Sequence, residues 1–131
     1  MPLLNFVIVY DKIIKLSFKE EYLMEINDIL EKFSFKGELE ECNVFGSGHI
    51  NTTYLAKYIE NGKEKKYVVQ KVNTNIFPDI DSLMNNVFSV TEFLRKKIIE
   101  NGGNPHRETH HFIRTYDKNK YFKDENGDCY R

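Results

Sequence analysis

The chain has 131 residues, a formal net charge of −1, and 40% apolar and 30% charged residues. These values are typical of one globular domain, and an aromatic content of 14% argues against a disordered chain. Near-neutral charge also argues against general nucleic-acid binding, which requires a basic face. Cys42 and Cys129 form no ligand-spaced pair, so a reduced, cytoplasmic protein is expected.

The first ten residues, MPLLNFVIVY, are mostly apolar and are followed by Asp11 and Lys12. They lack the basic segment and the small-residue cleavage site of a signal peptide. The run is also far shorter than the ~20 residues of a membrane-spanning helix, so no membrane association is expected. Residues 1–18 are expected to form an N-terminal arm or an extra strand, and residues 19–131 the main domain.

Helical spacing of apolar residues predicts a helix from Lys19 to Phe33. Ser17 and Glu20 form a capping-box pattern near its start, and Gly37 marks the exit from the segment. The apolar positions of this helix are Tyr22, Leu23, Ile26, Ile29, Leu30 and Phe33.

Three strands are predicted to follow in succession. The first is ELEECNVF (38–45), and the second is TTYLAKYI (52–59), which comes after a turn of small residues. The third is KYVVQKVN (66–73). Asn61–Gly62 between two β-rich runs predicts a type I′ hairpin, because both central residues of that turn need positive φ. The three strands are therefore expected to be antiparallel.

A long helix is predicted next, with Pro78 and either Asp79 or Asp81 as start signals and residues 101–103 as its end. Its buried stripe is expected to consist of Leu83, Met84, Val87, Val90, Leu94 and Ile98.

Two or three short strands complete the prediction: HFIRTY (111–116), KYFKD (120–124) and DCYR (128–131). Turns are expected at Lys118–Asn119 and Asn126–Gly127. The predicted fold class is α+β, with an antiparallel sheet of about five strands, one long packed helix and an N-terminal helix.

The turn between the first two strands, within FGSGHINTTYLAKY (45–58), carries two glycines. Such a turn exposes backbone N–H groups without side-chain bulk, which suits it to cover phosphates. It lacks the Gly-Lys-Ser/Thr of a P-loop, and a plain hairpin explains its glycines more simply, since their first use is positive φ. Both interpretations stay open. His49 could orient this turn, contact phosphate or face solvent.

Four segments in a fixed order resemble the N-terminal lobe of the aminoglycoside phosphotransferase and choline kinase superfamily. They are FGSGHINTTYL, YVVQKVNTNIF, LMNNVFSVTEFLRKKI and GGNPHRET. The similarity runs from about residue 26 to residue 131 and is strongest to the N-acetylhexosamine 1-kinase-like branch. It implies a protein-kinase-like small lobe, ATP with Mg²⁺, and phosphoryl transfer to a small hydroxyl-bearing substrate such as a sugar.

The resemblance also implies a set of nucleotide-binding residues. In kinase small lobes a lysine of the third strand contacts phosphates and a glutamate of the next helix holds it. Gln70 matches the lysine position, and Lys71 follows it on the opposite face of the strand. The pattern match directs Gln70 to the cleft together with Val68. The full expected set is Gly46, Ser47, Gly48, His49, Asn51, Gln70 and Lys71.

Two residues of the long helix are candidates for the partner of the third-strand polar residue. The helix register that matches related kinases gives Asn86, and residue type gives Glu92. A hydrogen bond between Gln70 and Asn86 would replace the usual ion pair without supplying positive charge.

Catalysis in the resembled family depends on a second lobe that provides an Asp base and an Mg²⁺-binding Asp. No segment of this sequence matches either, so no catalytic residue is predicted, and the chain is expected to be a small lobe truncated before the catalytic lobe. No metal site is predicted, because His106, His110 and His111 lack the partners of a zinc motif.

The final strands of such a lobe are expected to be partly uncovered, which favours self-association. The residues concerned are Tyr121, Phe122, Cys129 and Tyr130. The alternative function left open by the sequence is a non-catalytic module that binds another protein.

Overall fold

A computed structural model describes residues 25–131. One antiparallel sheet contains five strands in the order β1-β2-β3-β5-β4. The strands are β1 (Glu38–Val44), β2 (Thr52–Glu60), β3 (Lys63–Val72), β4 (Phe122–Lys123) and β5 (Cys129–Tyr130). The helices are α1 (25–30), α2 (Ile80–Glu100) and α3 (Pro105–Glu108). The predicted α+β class is therefore confirmed, and the layout is consistent with a kinase-like small lobe.

The predicted N-terminal helix is seen only in its second half. Residues 25–30 are helical, and Phe33 forms an isolated bridge with Thr115. The arm 1–18, the capping pair Ser17 and Glu20, and the first helical residues of the prediction lie outside the described residues.

The hairpin between β2 and β3 has the predicted type I′ turn. Asn61 and Gly62 have φ angles of 52° and 74°, and Glu60 pairs with Lys63 across the turn. Because this turn matches the natural twist of the strands, it sets the register of the whole β2–β3 ladder. Cross-strand neighbours such as Thr53 and Gln70 are thereby placed side by side.

One face of the sheet packs against α1 and the segment after it. Ile26, Leu30 and Phe33 meet the buried side chains of β2 and β3, among which Ala56 and Val69 are fully buried. Burial of each large apolar side chain contributes about 1.5–3 kcal/mol. Alternation in β3 assigns Val69 to this face, so Val68 and Gln70 lie on the other.

The N-terminus of α2 is capped by Asp79 and not by Asp81. The Asp79 carboxylate accepts hydrogen bonds from the backbone N–H of Ser82 at 3.1 Å and from its hydroxyl at 2.7 Å. These bonds hold the pKa of Asp79 below its usual value. Asp81 instead accepts a hydrogen bond from the Tyr121 hydroxyl at 2.8 Å.

The stripe predicted for α2 is only partly correct. Met84 and Phe88 are its buried residues, and Phe88 was not in the predicted stripe. Val90 and Leu94 are exposed, at 56% and 42%, so their predicted burial is wrong. Both buried residues lie in the first half of this 21-residue helix, and no buried residue follows Phe88 in it.

The C-terminal region contains two strands, and the prediction of a strand at 111–116 is wrong. This segment is bonded through its backbone to the residues that follow α1. Ser34 N donates to Arg114 O, and Tyr116 N donates to Lys32 O. The predicted turns are confirmed, with φ of 64° at Lys118 and 83° at Gly127. Sequence reasoning missed α3, which Asn104 caps by accepting a bond from His106 N.

The expected exposure of the final strands is also partly wrong. Cys129 and Tyr130 are buried, at 1% and 3% exposure, because they pair with β3 and Tyr130 enters the core. Tyr121 and Phe122 are half-buried, as expected. Self-association through these strands stays a prediction. Among residues 25–131, no helix is long and apolar enough to cross a membrane.

Gly37 provides a test of the sheet edge. It has a φ of +93°, and an added Cβ would lie 2.8 Å from the Ile59 carbonyl carbon. Gly102 has a similar φ of +76° with open space around it. In chemical denaturation we expect Gly102→Ala to lower the free energy of unfolding by about 1–2 kcal/mol, through backbone strain alone. Gly37→Ala should cost more than about 3 kcal/mol. Equal losses would contradict the close approach of β2.

Candidate functional site

A groove with a volume of about 820 Å³ lies between β3 and α2. It follows the part of the β3 edge that β5 leaves open, since β5 pairs only with the last residues of β3. Its wall is mainly apolar and aromatic, with Phe33, Phe35, Tyr67, Val68, Val87 and Phe112. Polar side chains from three directions interrupt this wall, namely Lys66, Gln70, Asn86, His110, His111 and Arg131.

Gln70 is held on the groove face by two neighbours. Its Nε2 donates to Thr53 Oγ1 at 3.2 Å, which ties it to β2. Its Oε1 accepts from Nε and Nη2 of Arg131, at 3.0 and 2.9 Å. All the polar atoms of the Gln70 amide thus have partners, so its orientation is fixed before any ligand arrives.

Lys71 lies on the opposite face of β3. Its Nζ is 3.0 Å from Asp128 Oδ2, and both side chains are about one-third exposed. The structure therefore separates the two candidates of the third strand, with Gln70 and Val68 on the groove wall and Lys71 outside it.

The two α2 candidates are also separated. Asn86 lies on the groove wall with Gln70, whereas Glu92 is not part of that wall. Glu92 Oε1 is instead 3.4 Å from Arg114 Nη2. The Gln70 amide bonds to Thr53 and Arg131, so it does not use Asn86 as its partner.

The glycine turn lies at the Gln70 end of the sheet. Phe45 N donates to Thr53 O at 2.8 Å and closes the base of the turn. Asn51 Oδ1 accepts from Asn73 N at 2.9 Å, so Asn51 anchors the turn to the end of β3. The tip, residues 46–50, is exposed and does not form part of the groove wall.

The two glycines of this turn have different roles. Gly46 has a φ of +76° and open space around it, so its backbone conformation requires glycine. Gly48 has no such angle, but an added Cβ would lie 2.9 Å from Asn51 O. Ser47 and His49 are exposed. Close packing inside the turn, and not positive φ, therefore explains Gly48.

The groove wall carries two cationic side chains, Lys66 and Arg131. Desolvation lowers the pKa of His111, and the positive charges of Arg95, His106 and Lys65 lower it further. Burial also lowers the pKa of the Arg131 guanidinium. Of the two cationic side chains, Lys66 is paired with Glu64 at 3.1 Å, whereas no side-chain carboxylate on the groove wall pairs with Arg131. The arrangement therefore favours an anionic ligand.

The side chains of the groove wall alone do not provide suitable ligands for Mg²⁺. Mg²⁺ takes carboxylate and phosphate oxygens, and the groove offers amides, imidazoles and cations instead. Among residues 25–131, no group of three or more His, Cys, Asp or Glu side chains is arranged to hold a metal ion. Any Mg²⁺ in the groove would therefore be held by the phosphate oxygens of a bound ligand.

A second cavity, of about 620 Å³, lies between the end of α1, the first turns of α2 and residues 114–123. Its polar groups bond to one another, as in the contacts of Tyr121 with Asp81 and of Lys120 with Asn85. Burial and the Asp81 carboxylate raise the pKa of Tyr121 to about 12, so its hydroxyl stays a donor. These contacts hold α2 in place, which makes this cavity a structural feature.

No family model matches the chain. Arg131 is the site residue that sequence reasoning missed. The sequence signal for Arg131 was the alternation of side chains along residues 129–131. Once the pairing of β5 with β3 is known, this alternation puts Arg131 on the same face as Cys129.

The lowered pKa of His111 gives a pH prediction. Because the folded pKa lies below the unfolded value near 6.5, the neutral form is favoured in the fold. The associated stability is present above about pH 6.5 and is lost as the pH falls below it. We expect His111→Gln to reduce the loss of unfolding free energy between pH 7.5 and 5.5, measured by urea denaturation. An unchanged pH dependence would contradict a desolvated His111.

Proposed function

We propose that this chain forms the nucleotide-binding lobe of an ATP-dependent phosphotransferase that acts on a small hydroxyl-bearing molecule, such as an N-acetylhexosamine-like sugar. One observation carries the proposal: the glycine turn and the groove meet at Gln70. Thr53 closes the base of the turn and bonds to Gln70, and Gln70 forms part of the groove wall. A phosphate at Gln70 would thus lie next to the turn.

The groove suits the remainder of a nucleotide. Ligand sites are usually apolar clefts with a few fixed polar groups, and this wall combines aromatic and aliphatic side chains with the oriented amide of Gln70. In the proposed arrangement the base lies along Val68 and Val87. The phosphates extend toward Gln70 and the exposed N–H groups of residues 46–48.

The proposed reaction needs groups that the groove does not contain. Phosphoryl transfer depends on positioning and on neutralising charge, and Mg²⁺ supplies part of that charge. In this proposal Mg²⁺ binds with the nucleotide, and the acceptor and the catalytic base lie on a second lobe, as the sequence resemblance implies. The chain's own contribution is to bind and orient ATP.

A second candidate function is a non-catalytic protein-binding module, favoured by the exposed apolar side chains on α2. Val90, Phe93 and Leu94, which share one face of the helix, are 56%, 58% and 42% exposed. Exposed apolar patches often mark contact surfaces between proteins. A folded chain that binds no nucleotide would favour this function over the first.

The role of the glycine turn is tested by titrating the 131-residue chain with ATP and Mg²⁺ in a calorimeter. We expect Gly46→Val to weaken ATP binding at least about tenfold, because a side chain there blocks the backbone N–H groups. Gly62→Val is the matched control, since Gly62 has nearly the same φ and equally open space but lies in the distant hairpin.

Both variants should lose similar stability, because their backbone strain is the same. Equal ATP affinities for Gly46→Val, Gly62→Val and the unchanged chain would show that the turn is a plain hairpin. Gly48 is a poorer test, since its added Cβ would move the turn itself.

The choice between the two strand residues is tested in the same way. We expect Gln70→Ala to weaken ATP binding clearly more than Lys71→Ala does, because only Gln70 faces the groove. A larger effect of Lys71→Ala would place the nucleotide on the opposite face of the sheet.

A further inference from the structure

We propose that Arg131 provides the positive charge that binds nucleotide phosphates in this groove, a charge that Gln70 cannot provide. The inference rests on the proposed function and assigns the phosphate contact to the residue that follows β5 and not to a residue of β3. The ligand class is an oligophosphate, free or as part of a nucleotide.

The backbone places Arg131 beside Gln70. Gln70 N donates to Arg131 O at 2.8 Å, and Arg131 N donates to Gln70 O at 2.9 Å. Two residues that exchange both hydrogen bonds lie directly opposite each other, with their side chains on the same face. The guanidinium of Arg131 therefore enters the groove where a lysine at position 70 would have entered it.

The guanidinium is fixed in direction. Two of its five N–H groups donate to Gln70 Oε1, and its central carbon lies 5.9 Å from the centre of the Phe112 ring. Three N–H groups remain, and a planar fork of this kind matches phosphate oxygens. The role of Gln70 is therefore to position the Arg131 guanidinium. The neutral Gln70 amide does not itself supply charge to the phosphate.

The Arg131 guanidinium also has no side-chain counterion in the part of the chain that the structure describes. Lys71, Arg114 and Lys57 each lie within 4.0 Å of a carboxylate, from Asp128, Glu92 and Glu41 respectively. No Asp or Glu side chain of residues 25–131 lies within that distance of the Arg131 guanidinium, although this side chain is partly buried. A partly buried cation without a counterion is costly, and a bound phosphate removes that cost.

The experiment is a set of calorimetric titrations of the 131-residue chain with three probes: Mg²⁺–ATP, inorganic tripolyphosphate and adenosine. We expect Arg131→Gln to weaken ATP and tripolyphosphate at least about tenfold and to leave adenosine binding unchanged. Lys71→Ala is the matched control, because it removes the same charge one strand position away on the other face. It should change binding of all three probes less than about twofold.

A second pair of variants separates charge from packing. Arg131→Lys keeps the charge and should retain most of the tripolyphosphate affinity. The double variant Gln70→Lys with Arg131→Gln moves the charge to the β3 position and should restore ATP binding to within about threefold of the unchanged chain. A purely structural role of Arg131 would give no such restoration, and thermal denaturation of each variant checks that it folds.

Each outcome decides between the two proposals. If the unchanged chain binds ATP and Arg131→Gln binds it equally well, the inference is wrong and the proposed function stands. If tripolyphosphate binds through Arg131 but ATP binds no better than tripolyphosphate and adenosine not at all, the anion site stands and the nucleotide function fails. If neither ATP nor tripolyphosphate binds, both are overturned.

Discussion

The alternation of side chains along β3 is the constraint on which the rest of the structure depends. Val69 is fully buried against α1, and it cannot leave that face without exposing the core. With Val69 fixed, Gln70 must face the groove and Lys71 must return to the opposite side. A shift of the β3 register by one residue would replace the Gln70 amide in the groove with the Lys71 ammonium group. It would also remove Val69 from the core.

The β2–β3 hairpin connects the side-chain alternation of β3 to the position of the glycine turn. Its type I′ turn sets the pairing of Thr53 with Gln70, and Thr53 in turn closes the base of the glycine turn. Three features that are far apart in sequence are therefore connected by consecutive hydrogen bonds. The exposed tip, which includes Ser47 and His49, is left free of the sheet while its two ends are anchored.

The groove and the core use aromatic residues in different ways. In the core, Phe35 and Tyr67 pack with ring centres 4.3 Å apart, and Tyr67 also contributes to the groove wall. On the groove wall, the guanidinium of Arg131 lies over Phe112, with its central carbon 5.9 Å from the centre of the ring. An aromatic face attracts a cation that lies over it, so Phe112 stabilises the position of the Arg131 guanidinium.

The sequence by itself determined the local features of this protein. The type I′ hairpin, an aspartate cap at position 79 or 81, the long helix and the first three strands follow from short-range rules on positive φ, capping and alternation. The alternation of β3 also predicted that Gln70 and Lys71 face opposite sides. The tertiary structure decided which side is the groove, because that depends on where α1 and α2 pack. It also decided that Val90 and Leu94 remain exposed, and that Tyr130 is buried. Arg131 could not be recognised as a site residue from sequence, since its position depends on a strand pairing between residues 61 positions apart.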